Sequence, residues 1–109
     1  MSLDVTLYYE SPEHEVYSAN ITHILNKMAD AAGYYRYIWR PEELWEHPLA
    51  KYLIPHLRAC VRELIENPKK YRQFDSPNGW GRYEDFVLWL VRYWQACCEH
   101  PEALVRVSR

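Results

Sequence analysis

Residues 83–98 read YEDFVLWLVRYWQACC, and this stretch decides the fold. At the 100° that each residue turns in an α-helix, its apolar side chains cover about 200° of the circumference. One narrow side is polar and carries Glu84, Asp85, Arg92 and Gln95. A helix that is apolar over so wide an arc needs other elements packed around it. The pattern therefore predicts a central helix over about residues 83–98.

The preceding segments predict two more helices. The first begins near Asn20, a favourable N-cap residue, and ends at Gly33, the usual C′ residue. Its apolar positions follow the i, i+3, i+4, i+7 rule of one buried face. They are Ile21, Ile24, Leu25, Met28, Ala29 and Ala32.

The second helix spans about residues 48–66. Its apolar stripe is formed by Leu49, Leu53, Leu57, Cys60, Val61, Leu64 and Ile65. Pro55 lies outside this stripe, so we expect a kink or a restart there with the apolar seam uninterrupted. Asn67-Pro68 ends the helix and opens a short helical turn that carries Tyr71 and Phe74. Residues 34–39 form an aromatic stretch that fits either an extended or a helical segment.

Both ends of the chain have strand character. Residues 4–9 alternate apolar and polar side chains, residues 10–15 with Pro12 break that pattern, and Leu104–Val107 reads as a closing strand. We therefore predict an α+β fold, a mainly helical single domain over residues 1–109 with about four helices, in which the N- and C-terminal strands pair. Because a two-stranded sheet is not stable alone, it must pack on the helices or extend across a partner.

Composition excludes several classes of protein. The 109 residues are 49% hydrophobic and 16% aromatic, which excludes a disordered tail. The net charge is −2 without a long run of one sign, so a binder of duplex nucleic acid is not expected. No apolar run reaches the roughly 18 residues of a membrane span, and no signal peptide is recognisable, so we expect a soluble, cytoplasmic protein without a membrane partner.

Cysteine and histidine spacing predicts neither a disulfide framework nor a metal site. Cys60, Cys97 and Cys98 form no paired spacing, and we expect all three to be buried, reduced thiols. The five histidines lack i, i+4 pairing and zinc-type spacing with cysteine. A glycine loop for phosphate and a nucleophile elbow are also missing, so the sequence predicts no cofactor.

Two of the three glycines flank Trp80 in the loop Asn78-Gly79-Trp80-Gly81. Pro77-Asn78-Gly79 is typical of a turn, and so short a loop holds the Trp80 ring in a defined place. One interpretation is a rigid aromatic recognition loop. The other, which we favour because Trp is usually well buried, is an aromatic plug that closes the core beneath the turn.

Asn20, His23, Lys27 and Asp30 lie at helical spacing and would form one polar ridge beside the apolar face. Histidine can act as an acid or base near neutral pH, and Lys and Asn can hold an anionic or amide group. The ridge also begins at a helix N-terminus, where free N–H groups attract anions. The simpler alternative is a capping Asn with a solvated polar flank.

A second polar group is Trp39-Arg40-Pro41-Glu42-Glu43. Arg40 can clamp a carboxylate or phosphate, and the paired glutamates can bind a metal ion. Proline at N1 followed by carboxylates is also typical of a fresh helix start, so the simpler alternative is a helix N-terminus with a local salt bridge.

Four ordered blocks span nearly the whole chain: NITHILNKMA (20–29), IWRPEE (38–43), NGWGRY (78–83) and VSR (107–109). In these blocks the chain resembles a family of small uncharacterised proteins from bacteriophages, prophages and bacterial genomes. The resemblance implies a cytoplasmic location in a bacterium and an accessory phage role, without a known activity or ligand. The chain departs from the family pattern at Ile24, where the family carries Asn, and in extra aromatic residues such as Trp45 and Trp89.

These observations favour a small binding module for a polar or anionic small molecule or a protein partner. The candidate site comprises Asn20, His23, Lys27, Trp39, Arg40, Asn78, Gly79, Trp80 and Gly81. One alternative is an enzyme that uses His23 as acid or base and Arg40 as anion clamp. Another is a structural homo-oligomer that buries the aromatic patch across a symmetry axis.

Overall fold

The computed structural model describes residues 2–11 and 13–109. Its strands are β1 (Ser2–Tyr8), β2 (Glu15–Thr22) and β3 (Leu104–Ser108). Its α-helices are α1 (Asn26–Ala32), α2 (Tyr35–Trp39), α3 (Ala50–Glu66), α4 (Pro68–Arg72) and α5 (Tyr83–Glu99). Short 3-10 turns cover His23–Leu25 and Pro41–Glu43. The predicted α+β class, with helices between terminal strands, is confirmed.

The strands form one antiparallel sheet in the order β2-β1-β3. The central strand β1 pairs on one side with β2, where Val5 lies opposite Ala19, and on the other with β3, where Val5 lies opposite Val107. The predicted pairing of the N- and C-terminal strands is therefore confirmed.

One face of the sheet packs against the helices and supplies the fully buried side chains of Leu3, Val5 and Leu7. Helix α5 contacts β2 directly, and its most extensive helix–helix contact is with α3. Phe86, Leu90 and other α5 residues are completely buried there, as expected for a central helix. None of the described helices is both long and apolar enough to cross a membrane.

Strand β2 was not predicted, and it corrects the start of the first helix. Asn20, expected to cap that helix, lies in β2 opposite Asp4, and α1 begins only at Asn26 after the 3-10 turn. Ile21 fits both periods, since it lies four residues before Leu25 and also continues the inward i, i+2 series of β2. The segment forms a strand because pairing with β1 satisfies the backbone N–H and C=O groups that face β1 along its length.

The predicted C-terminal ends of the helices agree with the structure. Gly33 closes α1 with φ 90°, the left-handed conformation that favours glycine. The aromatic stretch 34–39 is helical, as α2. Helix α3 runs through the exposed Pro55 without a restart, and its buried seam is uninterrupted. Asn67-Pro68 separates α3 from α4, where Tyr71 is buried as expected.

Three residues that the predicted helices placed inside are outside. Ile24 is 44% exposed, because the 3-10 turn rotates it away from the face that an α-helix would have given it. Ile65 is 56% exposed, one position beyond the buried Leu64. Cys98 is exposed, whereas Cys60 and Cys97 are buried and all three are free thiols. Burial raises the pKa of the Cys60 and Cys97 thiols to about 12, so both stay protonated near neutral pH.

Candidate functional site

Two adjoining clefts lie beside α1. The first, of about 370 Å³, is formed between residues 23–27 and the segment 74–77. The second, of about 250 Å³, is lined by Asn26, Lys27, Asp30 and Tyr35. Asn26 and Lys27 line both clefts, so the first turn of α1 forms the wall between them. We call the two together the α1 clefts.

His23 is held by hydrogen bonds at both ring nitrogens. The indole Nε1 of Trp39 lies 3.2 Å from His23 Nδ1, and an indole N–H can only donate. His23 Nδ1 is therefore the acceptor, and the neutral ring carries its proton on Nε2. Asn26 Nδ2 lies 3.0 Å from Nε2. Because two N–H groups cannot bond to each other, the Asn26 amide is assigned with its oxygen in this position, where it accepts the Nε2–H. The imidazole is thus fixed in one tautomer and one orientation.

The same Trp39 connects His23 to Arg40. Its ring is completely buried and stacks on Tyr35, with the ring centroids 5.7 Å apart. Arg40 Nε donates to the Tyr35 hydroxyl at 3.2 Å, and Arg40 Nη1 donates to Glu43 at 3.0 Å. These two hydrogen bonds raise the pKa of the Arg40 guanidinium. The local salt bridge that was the simpler alternative for this segment is confirmed.

Glu42 and Glu43 both form salt bridges with arginine side chains. Glu43 also faces Arg36 at 3.7 Å, and Glu42 pairs with Arg109, whose Nη1 additionally donates to the Trp39 carbonyl at 2.7 Å. Within residues 2–11 and 13–109, no three His, Cys, Asp or Glu side chains come together in a way that could hold a metal ion.

The loop before α5 is organised by its own side chains. Asp75 accepts a hydrogen bond at 2.6 Å from the backbone N–H of Tyr83, the first residue of α5. Asn78 accepts hydrogen bonds from the Trp80 N–H, at 3.0 Å, and from the Ser76 hydroxyl. Gly79 has φ 77°, in the left-handed region that favours glycine. The predicted turn is confirmed.

Trp80 does not plug the core, and that favoured interpretation was wrong. Its side chain is 73% exposed. Gly81 occupies the inner position instead, and a Cβ atom there would lie 3.4 Å from side-chain carbons of Thr22, Ile24 and Leu25. The glycine thus lets the loop backbone approach residues 22–25 closely, which leaves the large Trp80 ring on the surface.

The predicted polar ridge is divided. His23, Lys27 and Asp30 line the α1 clefts. Asn20 lies in β2, donates to Asp4 Oδ1 at 2.6 Å and faces a different groove, between β2 and α5. Its predicted place in the ridge was wrong because it depended on a helix that begins six residues later.

The structure therefore brings some of the candidate residues into contact with one another or with the cleft lining. Trp39 contacts His23, Tyr35 connects Trp39 with Arg40, and Gly81 packs on Ile24, which lines the first cleft. Asn78 and Gly79 shape the loop and line neither cleft.

Sequence reasoning missed three contributors: Asn26, Tyr35 and Asp75. Asn26 lies three residues after His23, at the spacing at which helical side chains meet, so its role was open to prediction. Nothing in the order of residues indicates that segment 74–77 lies opposite α1.

Lys27 lines both α1 clefts, whereas the nearby Arg36 and Arg40 are not part of either lining. Arg36 and Arg40 both pair with Glu43, whereas Lys27 has no salt bridge or side-chain hydrogen bond with any described residue. Its ammonium is exposed and adjoins both clefts.

Comparison with known proteins identifies no relative of the chain. No family model matches it, and no curated protein or solved structure matches it significantly.

Proposed function

We propose that the protein is a small binding module whose α1 clefts recognise a polar or anionic group, carried by a small molecule or by a protein partner. Lys27 carries this proposal. A cation without a protein partner, at the wall between two clefts, is available to pair with an anionic group of a ligand.

The surroundings of Lys27 favour recognition by a preformed site. The buried Trp39 orients His23, and His23 in turn holds the Asn26 amide, so the remaining polar atom of that amide is fixed beside the exposed Lys27. A site whose donors are already placed loses little conformational entropy when a ligand binds.

Two exposed apolar side chains favour a protein partner as the carrier of that group. Trp80 and Ile24 are both well exposed, and Gly81, next to Trp80, contacts Ile24. Trp is enriched at protein interfaces, where its ring contributes a large contact area. A partner that covers this rim would bring its anionic side chain towards Lys27.

The alternative of an enzyme gains no support from the site. The lone pair of His23 Nδ1 accepts the Trp39 indole N–H, so it is not free to take a proton from a substrate. Arg40 is already held by Glu43 and Tyr35, which reduces its capacity to clamp a substrate anion.

An accessory role in bacteriophage or prophage biology, in the bacterial cytoplasm, belongs to the same proposal. It depends on the resemblance of the four sequence blocks, two of which contribute His23, Lys27, Gly81 and Trp80.

The proposal is tested by a thermal-shift and calorimetry screen with inorganic phosphate, nucleotides, amino acids and acidic peptides. A ligand that prefers the native state raises the melting temperature. We expect Lys27→Ala to abolish that shift while the melting temperature without ligand changes little, because an exposed, unpaired lysine contributes little to folding.

The matched control is Lys69→Ala, since Lys69 is an exposed lysine on α4 without a salt bridge among the described residues. It should leave binding intact. Ligand binding that survives Lys27→Ala, or is lost equally with Lys69→Ala, would overturn the proposal.

A further inference from the structure

The two edges of the sheet differ in how they are covered. The outer edge of β3 is partly occupied, since Val105 donates to the Pro48 carbonyl at 2.9 Å and Leu49 bridges to Leu104. The outer edge of β2 makes no backbone hydrogen bond with any described residue. In an antiparallel edge strand every second residue directs its N–H and C=O outward. An eight-residue row with such free groups is a template for another strand.

Over residues 17–22, strand β2 also lacks the usual protection of an edge. Proteins prevent unwanted pairing with lysine, proline or a bulge within the strand. Residues 15–22 (EVYSANIT) contain neither lysine nor proline, and the register shift of β1–β2 occurs only at the end near Tyr8. The length from Tyr17 to Thr22 pairs regularly.

A groove of about 390 Å³ accompanies this edge on the helical side of the sheet. Its lining is largely apolar and includes Tyr17, Ala19 and Ile21 from β2 and Leu88 and Trp89 from α5. Leu88 is 51% exposed, which is unusual for a leucine on the central helix. The strand edge and the exposed side of α5 around Leu88 thus form one continuous surface.

Opposite charges lie at the two ends of that surface. Asp85 and Arg92 line the groove and lie on either side of Leu88 on α5. They are seven positions apart, about 10 Å along the helix, which is too far for an ion pair within one chain. Neither makes a salt bridge with any described residue.

This arrangement is complementary to itself. A twofold axis perpendicular to the sheet, passing beside Leu88, would set two β2 strands antiparallel and two α5 helices antiparallel. Asp85 of each copy would then face Arg92 of the other, and the two Leu88 side chains would meet between them. A twofold interface requires such a self-complementary patch.

We propose that β2 and the adjacent face of α5 form a self-association surface, on which a second copy of this chain adds its β2 antiparallel and pairs its Arg92 with Asp85. The result is a dimer with one continuous antiparallel sheet. The proposal is independent of ligand binding in the α1 clefts, since Lys27 and His23 do not line this groove.

Sedimentation velocity and light scattering over a wide range of concentration test this proposal. The wild-type chain should sediment as a dimer that dissociates on dilution. Asp85→Arg and Arg92→Asp should each raise the dimer dissociation constant about tenfold or more, because each places like charges opposite one another twice. The double variant, which exchanges the two charges, should recover the wild-type affinity, and an equimolar mixture of the two single variants should form the heterodimer.

Two controls separate association from folding. Glu99→Arg makes the same charge change at an exposed position of α5 outside the groove, and it should leave the dimer intact. Leu88→Lys should dissociate the dimer without lowering the melting temperature of the monomer. A chain that stays monomeric at every concentration, including one that binds an extended peptide at β2 instead, overturns the proposal. So does a double variant that fails to recover affinity.

Discussion

Two buried tyrosines of α5 have opposite hydrogen-bonding states. Tyr83 donates its hydroxyl proton to the Leu64 carbonyl at 2.6 Å. In a continuing helix that carbonyl would accept from residue 68, but Pro68 has no N–H. The Tyr83 hydroxyl therefore supplements the longer, 3.4 Å hydrogen bond that the Asn67 N–H donates to the same carbonyl. The Tyr93 hydroxyl is completely buried without a partner among the described residues. Burial raises the pKa of Tyr93 well above its usual value, so the group stays neutral.

The same substitution at these two positions should therefore change stability in opposite directions. Tyr83→Phe removes the shorter of the two hydrogen bonds to the Leu64 carbonyl and leaves only the 3.4 Å bond from the Asn67 N–H, so it should lower the free energy of unfolding by about 1 kcal/mol. Tyr93→Phe removes a hydroxyl that was desolvated without a hydrogen bond and should raise it by about 1 kcal/mol. Urea unfolding of the two variants measures both changes. A loss of stability in Tyr93→Phe as large as that in Tyr83→Phe would show that the Tyr93 hydroxyl has an acceptor.

At the scale of single elements, hydrophobic periodicity predicted the long helices. It failed around Ile21, where the helical spacing and the strand alternation both fit the sequence. Helices α3 and α5 have apolar stripes many turns long. Asn67-Pro68 marks the end of α3, and Pro101 follows shortly after the end of α5. Strand β2 was missed because EVYSANIT contains small and polar residues that hide its alternation. Its identity as a strand depends on pairing with β1, which is a contact between distant residues.

Substitutions of two adjacent residues on α3 test how abruptly burial changes from one position of this helix to the next. Leu64 is completely buried and Ile65 is 56% exposed, although sequence periodicity placed both in the apolar stripe. Leu64→Ala should cost about 2–5 kcal/mol, since it loses transfer free energy and leaves a cavity. Ile65→Ala should cost less than about 1 kcal/mol, because its side chain is mostly solvated already. Similar losses in thermal unfolding would mean that α3 is rotated from the orientation described.

At the scale of the whole molecule, the candidate site depends on contacts between segments that are distant in the chain. His23 and Lys27 could be proposed from their spacing and chemistry alone. Their neighbours Asp75 and Ser76 are supplied by a loop some fifty residues later, and no local pattern encodes that approach. The exposure of Trp80 had the same origin, since it follows from how Gly81 packs on residues 22–25.

Arg109 contacts a residue 70 positions away in the chain and provides a means to test the energetic weight of such connections. Its guanidinium donates to the Trp39 carbonyl at 2.7 Å and pairs with Glu42, so it joins the end of β3 to the segment after α2. Arg109→Ala leaves that carbonyl without its charged donor and should lower the free energy of unfolding by about 1–2 kcal/mol. This value is in the lower part of the range for charge-assisted hydrogen bonds, because the Arg109 side chain is partly solvated. Arg106→Ala is the matched control, because Arg106 lies on β3, is exposed and has no salt bridge with any residue in the described ranges. This substitution should change the free energy of unfolding by less than about 0.5 kcal/mol. If chemical denaturation finds the two variants equally stable, the connection between Arg109 and residues 39–42 does not hold the two segments together, and packing of β3 on β1 alone closes the fold.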